Sequence, residues 1–361
     1  MIGRPDGVPL LRAGVRITPR YRELLVKAGI SAIYVEDEVS AGIIVEPVVD
    51  DHTRAIATRA VSSAYSTARE ALSRGKRLAP DAVEALEDVV KRIIDQLQSS
   101  GGVALALADL SSSDGYTFQH SIDVTAVGLM VGYRYFATHG WTDYRGERHY
   151  NKLEERLSTL GLGLLLHDIG KLAIPLSILN KPGKLNPEEW TIMKSHPRSG
   201  VDILDGSQWS PLVKAIVLRH HERWNGSGYP DGKALEEIHA MARIAAVADV
   251  YDAITSERIY APARPAADGV RTIIEGSGAL FDPDVVDAFC RVVAPFPAGT
   301  PVELSDGRKG IVVSVPEAAL DRPVVRIVDG GGAATEISLL LDSSLQINGW
   351  DHGLLSPAVA A

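Results

Sequence analysis

Leu164-Leu165-Leu166-His167-Asp168-Ile169-Gly170-Lys171 is the stretch on which the reading of this chain turns. A helical apolar pattern begins near Lys152 and ends on an imidazole beside a carboxylate. An unpaired carboxylate buried at such a place costs on the order of several kcal/mol. A second imidazole pair, His220-His221, opens the string Arg219–Pro230 (RHHERWNGSGYP). His120 sits one turn into the helical pattern TFQHSIDV, His196 lies in KSHPRSG, and Asp249 is enclosed by the apolar AAVADVYDAI. Taken singly, His52, His139, His149, His239 and His352 read as surface or hydrogen-bonded residues, and His120 alone would read much the same. The set is different, because bound divalent cations resolve the burial costs of His167-Asp168, Asp249 and the imidazoles together. Five imidazoles and two carboxylates exceed what one ion takes, so two ions bridged by a carboxylate fit better. Mixed imidazole and carboxylate donors suit iron, manganese or zinc more than magnesium or calcium.

Composition bounds the rest. At 361 residues the chain is long enough for two or three domains and a large core. One cysteine, Cys290, excludes an internal disulfide framework and fits a reducing compartment. The longest apolar run, Leu160–Leu166, is far short of the roughly 20 residues a bilayer span needs, and the N-terminus lacks a signal-peptide core. The expected location is the cytoplasm, with no membrane association. A net charge of −9 argues against DNA or RNA as partner, yet leaves room for a small phosphate ligand in a pocket whose field metals reverse.

The pattern predicts three units: 1–100, 101–298 and 299–361. In the first, Val8–Ile17 reads as strand and turn, and Thr18-Pro19 as the cap and first residue of a helix ending at Gly29. Ala32–Val35 and Gly42–Val48 read as strands, then Ala55–Leu72 and Ala82–Leu97 as helices. From about Val103 to Val293 the chain reads as helical: Phe118–Phe136, Lys152–Asp168, a helix started by Asn186-Pro187-Glu188-Glu189, a central buried Ala240–Thr255, and one after Phe281-Asp282-Pro283. Gly140–Asn151 reads as a polar loop inserted between core helices. After Pro301, short strands with Gly and Asp turns predict a small β appendage without a chemical motif.

With these residues in order, the chain resembles a known family. His120, His167-Asp168 and Asp249 are similar to the H…HD…D pattern of the HD phosphohydrolase superfamily. His196, His220-His221 and Gly228-Tyr229-Pro230 resemble the additional positions of its HD-GYP family, over roughly Leu105 to Cys290. The resemblance implies a multidomain, mainly α protein: an all-α helical bundle flanked by a small α/β N-terminal unit and a small β C-terminal unit. It implies that Asp168 bridges two divalent ions, with His120, His167 and Asp249 completing one site and His196, His220 and His221 the other. Some members hold a third metal through a Glu one turn before the first His. Tyr116 stands there and is a poor ligand, so two ions are expected, iron or manganese with zinc as an alternative.

The implied reaction is hydrolysis of cyclic di-GMP to linear pGpG, and on to GMP if the second bond is also cut. Two bridged ions acidify a shared water and neutralise phosphoryl oxygens. Asp168 and Lys171 carry the catalytic role. Lys171 and Arg258, with Gly228, Tyr229 and Pro230 of the glycine-rich loop, are the expected substrate contacts, although a helix-end lysine, a surface arginine and an ordinary turn are the plainer readings of each. Three departures stand out: Asn225 replaces the usual Asp, Ala261 replaces a common basic residue with Arg264 nearby, and 140–151 is inserted. The alternative function is a catalytically weak cyclic di-GMP receptor signalling through protein partners, for which diguanylate cyclase (GGDEF) domains are the family's candidates. A di-iron oxygenase is a third class, disfavoured by the GYP loop. The stretch Arg12–Asp37 resembles an extension found ahead of HD-GYP domains, suited to signal relay or homodimer formation.

Overall fold

Helix start signals decide where the chain turns. The structure, a computed structural model, describes residues 2–3, 9–11, 15–27, 36–37, 39–45, 47–74, 80–99, 116–143, 145–204, 209–256, 263–327 and 334–350. Two short strands, β1 (Ile2–Gly3) and β2 (Pro9–Leu11), pair antiparallel. α1 (Pro19–Lys27) begins as the Thr18-Pro19 signal predicts, with the Thr18 hydroxyl accepting the Tyr21 N–H at 3.3 Å. Gly42–Val48 is not a strand among the described residues. A turn closes from Ile43 N–H to the Ser40 carbonyl, Gly42 has φ +75°, and just ahead of the segment the Arg326 guanidinium holds the Val39 and Ala41 carbonyls. The expected strand at Ala32–Val35 and the helix end at Gly29 lie outside the described residues.

Next come α2 (Asp51–Arg74) and α3 (Pro80–Ser99), which pack together and against α4 (Tyr116–His139) and α5 (Leu153–Leu166). Val61, Tyr65, Leu86, Val90 and Ile93 enter one buried cluster with Leu129, Leu157, Leu160 and Leu164. Arg54 of α2 donates to Asp123 of α4 at 2.8 Å, an ion pair largely withdrawn from water.

Between α4 and α5 the expected loop is instead a hairpin, β3 (Trp141–Thr142) on β4 (Arg148–His149). Asp143 accounts for it: one carboxylate oxygen accepts the Arg145 and Glu147 N–H groups at 2.9 Å each, and the other meets His149 Nε2 at 3.2 Å. The Arg156 guanidinium covers Trp141 at 3.6 Å. The hairpin follows the C-terminal end of α4, whereas His120 lies in its first turns. Twenty residues at the helical rise separate them by about 30 Å. The insertion therefore cannot cover a site built around His120.

After α5 the chain makes a 3-10 turn at Ile169–Ala173, then α6 (Leu176–Leu179), α7 (Pro187–Met193), α8 (His196–Leu204) and α9 (Pro211–Arg219). α7 starts with the predicted capping box, Asn186 Oδ1 accepting Glu189 N–H and Glu189 accepting Asn186 N–H, both at 2.8 Å. α10 (Ala240–Thr255) is buried along most of its length and packs on α4 and α9. Its alanines let neighbouring backbones approach, and His239 caps its start by accepting the Met241 N–H at 3.2 Å. α11 (Ala266–Glu275) and α12 (Pro283–Cys290) complete the helical part, α12 capped by Asp282. The chain ends in an antiparallel sheet in sequential order, β5 (Pro301–Glu303), β6 (Lys309–Ser314), β7 (Val324–Ile327) and β8 (Thr335–Ser338). Alternation sets its register: Val312 faces Val325, and Val302, Val312, Val325 and Ile327 are all buried. No helix among the described residues is long and apolar enough to cross a membrane.

Candidate metal centre

The predicted residues converge from five separate segments. α4 brings His120, the end of α5 brings His167 and Asp168, the start of α8 brings His196, the end of α9 brings His220 and His221, and α10 brings Asp249. One close approach makes this possible. A Cβ on Gly170 would fall on the His196 carbonyl and 2.5 Å from Gly200 N, so only glycine lets the turn after Asp168 lie against α8.

The donor atoms form two groups, each with its atoms within 4.8 Å of one another: His120, His167 and Asp249, and then Asp168, His196, His220 and His221. Asp168 stands between them. Its Oδ2 is 3.4 Å from His167 Nε2 and 3.7 Å from His120 Nε2, while its Oδ1 is 3.4 Å from His196 Nε2 and 4.0 Å from His220 Nε2. Asp249 is divided in the same way, with Oδ1 3.3 Å from His120 Nε2 and Oδ2 3.6 Å from His221 Nδ1.

Four of the five rings are aimed by their other nitrogen. His167, His196 and His220 use Nδ1 on the carbonyls of Leu164, Met193 and Val217, at 2.7, 2.8 and 2.9 Å, each three residues back along the chain. As donors to carbonyls, these nitrogens carry the proton and leave Nε2 with a free lone pair. His120 instead has its Nδ1 hydrogen-bonded to a carboxylate, Asp252 Oδ2 at 2.5 Å, which the sequence reading missed. Asp252 is 4% exposed and one helical turn beyond Asp249, and that i, i+3 spacing of acids inside an apolar helix was the available signal.

The donor set fits divalent metal. His167 Nε2 and Asp168 Oδ1 are buried without a hydrogen-bond partner, an arrangement that an ion in contact with both would satisfy. The charges agree. Burial and neighbouring imidazoles hold His220 well below the usual range, and burial takes His221 to about 3 against the pull of Asp249, so both rings are neutral donors at neutral pH. Burial opposes the Asp168 charge, but Lys171 and the surrounding imidazoles outweigh it and keep the carboxyl ionised. His120 goes the other way: burial lowers it, but hydrogen bonds to Asp249 and Asp252 raise it to about 9.

Comparison with known proteins places much of the donor-bearing segment beside a known domain. Residues 140–285 match the HD domain family. The chain is similar to a cyclic di-GMP phosphodiesterase of Pseudomonas aeruginosa, 37% identical over 277 residues, covering 76% of this chain and 62% of the relative. It is 48% identical over 140 residues to the cyclic di-GMP phosphodiesterase response regulator RpfG of Xanthomonas campestris pv. campestris, covering 38% of this chain and 37% of that protein. The chain is thus similar to the HD domain family over residues 140–285 and to cyclic di-GMP phosphodiesterases over a longer stretch, and its motifs resemble those of HD-GYP proteins. It spans about three fifths of the first relative's length and less than two fifths of the second's. A solved structure of an HDG"Y"P protein from Bdellovibrio bacteriovorus aligns with a TM-score of 0.44 at 16% identity, covering 74% of this chain and 76% of that one.

The HD-GYP loop is tied directly to the centre. Gly228 lies so close to the preceding segment that a Cβ would come within 2.5 Å of the His221 carbonyl and Glu222 Cα. Tyr229 N–H donates to the His221 carbonyl at 3.2 Å, and the Tyr229 ring packs on His221 with centroids 4.7 Å apart. Glu222, also missed in the sequence, is 1% exposed and accepts the Asp231 and Lys233 N–H groups at 2.9 and 3.1 Å. It clamps the loop's far side to the residue following the histidine pair. Asn225 Oδ1 accepts the Ser227 N–H at 3.0 Å, a bond that an amide oxygen makes as well as a carboxylate. Lys171 Nζ reaches Asp168 Oδ2 at 2.5 Å and its side chain is 29% exposed. Arg258 and Ala261 lie outside the described residues, as does the Tyr116 side chain. A third acidic group, Asp143, Glu147 and His149, belongs to the hairpin.

Proposed function

We propose that this chain is a metal-dependent phosphodiesterase that hydrolyses cyclic di-GMP to pGpG, with GMP as a further product, at a binuclear centre. The division of Asp168 between two histidine groups carries the reading, because a carboxylate with one oxygen toward each group is what a pair of bridged ions requires. The names of the relatives supply the substrate. His120, His167, Asp168 and Asp249 would hold one ion, and Asp168, His196, His220 and His221 the other, with iron or manganese suited to these donors. Bound there, the pair would supply an acidified water and a positive field for phosphoryl oxygens.

The protein's own groups do the positioning. Three carbonyl-anchored imidazoles and the Asp252-backed His120 keep their lone pairs convergent. Lys171 neutralises the buried Asp168 and, being 29% exposed itself, would be the cation that an incoming phosphodiester meets. Burial raises the Tyr229 phenol, so it stays protonated and can donate to substrate. Arg258 is proposed as a second phosphate contact, and Gly228 and Pro230 as the shapers of the loop beside it.

The test is anaerobic incubation of iron- or manganese-loaded protein with cyclic di-GMP, resolving products by chromatography beside Asp168→Ala. Metal-dependent pGpG or GMP, absent from the variant, is the expected result. No turnover with both ions bound would overturn it and favour a receptor, which binding measurements on the same sample would then examine.

A further inference from the structure

α7 is an oddly placed helix. None of its seven residues is buried, yet it carries Trp190, 46% exposed, and Ile192, 41% exposed. An indole left in water at the surface forgoes a large apolar burial. Its position is nevertheless well defined. The capping box at Asn186 and Glu189 fixes the helix start, and Lys181 Nζ binds both Glu189 oxygens at 2.8 and 2.6 Å.

Two independent routes connect Trp190 to the candidate centre. Its ring meets Tyr229 edge-on, with centroids 6.2 Å apart and planes at 79°, and Tyr229 packs in turn on His221. The helix that carries it ends in Met193, whose carbonyl receives His196 Nδ1 at 2.8 Å. Trp190 thus stands one aromatic ring beyond the histidines, with an open face. Lys171 stands at the other side of the cluster's chemistry, its Nζ 2.5 Å from Asp168 Oδ2 and its side chain 29% exposed.

We propose that Trp190 is a stacking platform for a nucleobase of the substrate, holding a purine while its attached phosphodiester lies at the histidine and aspartate cluster. The proposal rests on the phosphodiesterase reading for the identity of the ligand. An exposed, positionally fixed aromatic ring beside a phosphate-attracting centre is what base recognition in single-stranded nucleotides uses, because every base offers a π face. Tyr229 and the indole meet in an edge-to-face contact, and the indole still keeps nearly half of its surface in water for a base to cover. Stacking would favour purine dinucleotides over phosphodiesters without a base, and would raise affinity without touching the bond that breaks.

The experiment compares the metal-loaded full chain with Trp190→Ala and Trp190→Tyr, using three probes: cyclic di-GMP, its slowly hydrolysed bis-phosphorothioate, and methyl p-nitrophenyl phosphate, which lacks a base. Metal content and circular dichroism should be unchanged, since α7 buries none of its residues. Trp190→Ala should weaken phosphorothioate binding by about tenfold or more, and Trp190→Tyr should recover most of it. The KM for cyclic di-GMP should rise with little change in kcat, and kcat/KM for methyl p-nitrophenyl phosphate should stay the same. Trp190→Phe should remove most of the ligand-induced fluorescence quenching. Unchanged dinucleotide affinity in Trp190→Ala would overturn the platform, as it would if the indole served a protein partner instead. An equal loss on the base-free ester would overturn it too. If the wild-type chain binds the phosphorothioate through Trp190 but cleaves nothing, the platform stands and the phosphodiesterase reading falls. Cleavage of cyclic di-GMP with no effect of Trp190→Ala on KM or affinity has the reverse meaning.

Discussion

The two halves of the centre share Asp168 but are built on different principles. The half with His196, His220 and His221 relies on neutral imidazoles, two of them anchored on carbonyls of their own segments, and Asp168 is its one carboxylate. The half with His120, His167 and Asp249 adds a charge behind its ligand, since Asp252 backs His120. A carboxylate behind an imidazole raises its basicity and fixes its orientation more strongly than a carbonyl does. The first half is nitrogen-rich and held by local helix geometry, whereas the second depends on a contact between α4 and α10. If each half holds an ion as proposed, the difference predicts unequal metal affinities, with the Asp252-backed half the tighter.

The comparison breaks most completely at Asp168. Asp168→Ala should take metal stoichiometry below two per chain and bring cyclic di-GMP turnover to background, read by elemental analysis and chromatography. Asp252→Asn should sharpen the comparison: in a chelator competition the tighter step should weaken by about 10–100-fold while the weaker step stays put. An equal weakening of both steps would mean the halves are not distinct.

Glu222→Ala comes next in size. It leaves the Asp231 and Lys233 N–H groups without their acceptor, which should lower stability by about 1–3 kcal/mol in denaturant titration. Because the loop bears Tyr229, KM should rise more than kcat falls.

Acid and base should act oppositely through His221 and His120 in the metal-free protein. The buried His221 resists protonation down to about 3, whereas the unfolded chain takes up the proton near 6.5. The stability His221 contributes is present above 6.5 and is lost as pH falls toward 3. His120 binds its proton more tightly when folded, so its contribution is full below 6.5 and fades as pH rises through about 9. Melting temperature against pH should show both limbs; His221→Gln should make the acid one shallower, since buried His167, His196 and His220 still contribute to it, and His120→Gln should flatten the alkaline one.

The smallest effect belongs to the hairpin. Asp143→Ala loosens β3 and β4, about 30 Å from His120, and should leave metal content and turnover within about twofold. A larger loss would show that the insertion communicates with the centre.

Much of this was legible because its signals are local. Asn186-Pro187-Glu188-Glu189 predicts a capping box and forms one, and the alanine-rich Ala240–Thr255 is the central helix it reads as. Acids and imidazoles in apolar segments had to be reconciled by something, and the structure brings those residues together. Gly42–Val48 misled because apolar character gives a strand no partner, and its neighbouring carbonyls go to Arg326. The Gly140–Asn151 hairpin was hidden because its two strands are only two residues each and are held by a side chain, Asp143, that no alternation reveals.

The sequence by itself determined the helices, the donor types and the order of the motifs, since capping, periodicity and the cost of burying charge act over a few residues or on single groups. Only the tertiary structure decided which oxygen of Asp168 faces which histidine, that Asp252 rather than a carbonyl supports His120, that Glu222 clamps the loop, and that the insertion lies at the far end of α4. Those facts depend on how helices distant in sequence meet, where a shift of an ångström decides whether two groups touch.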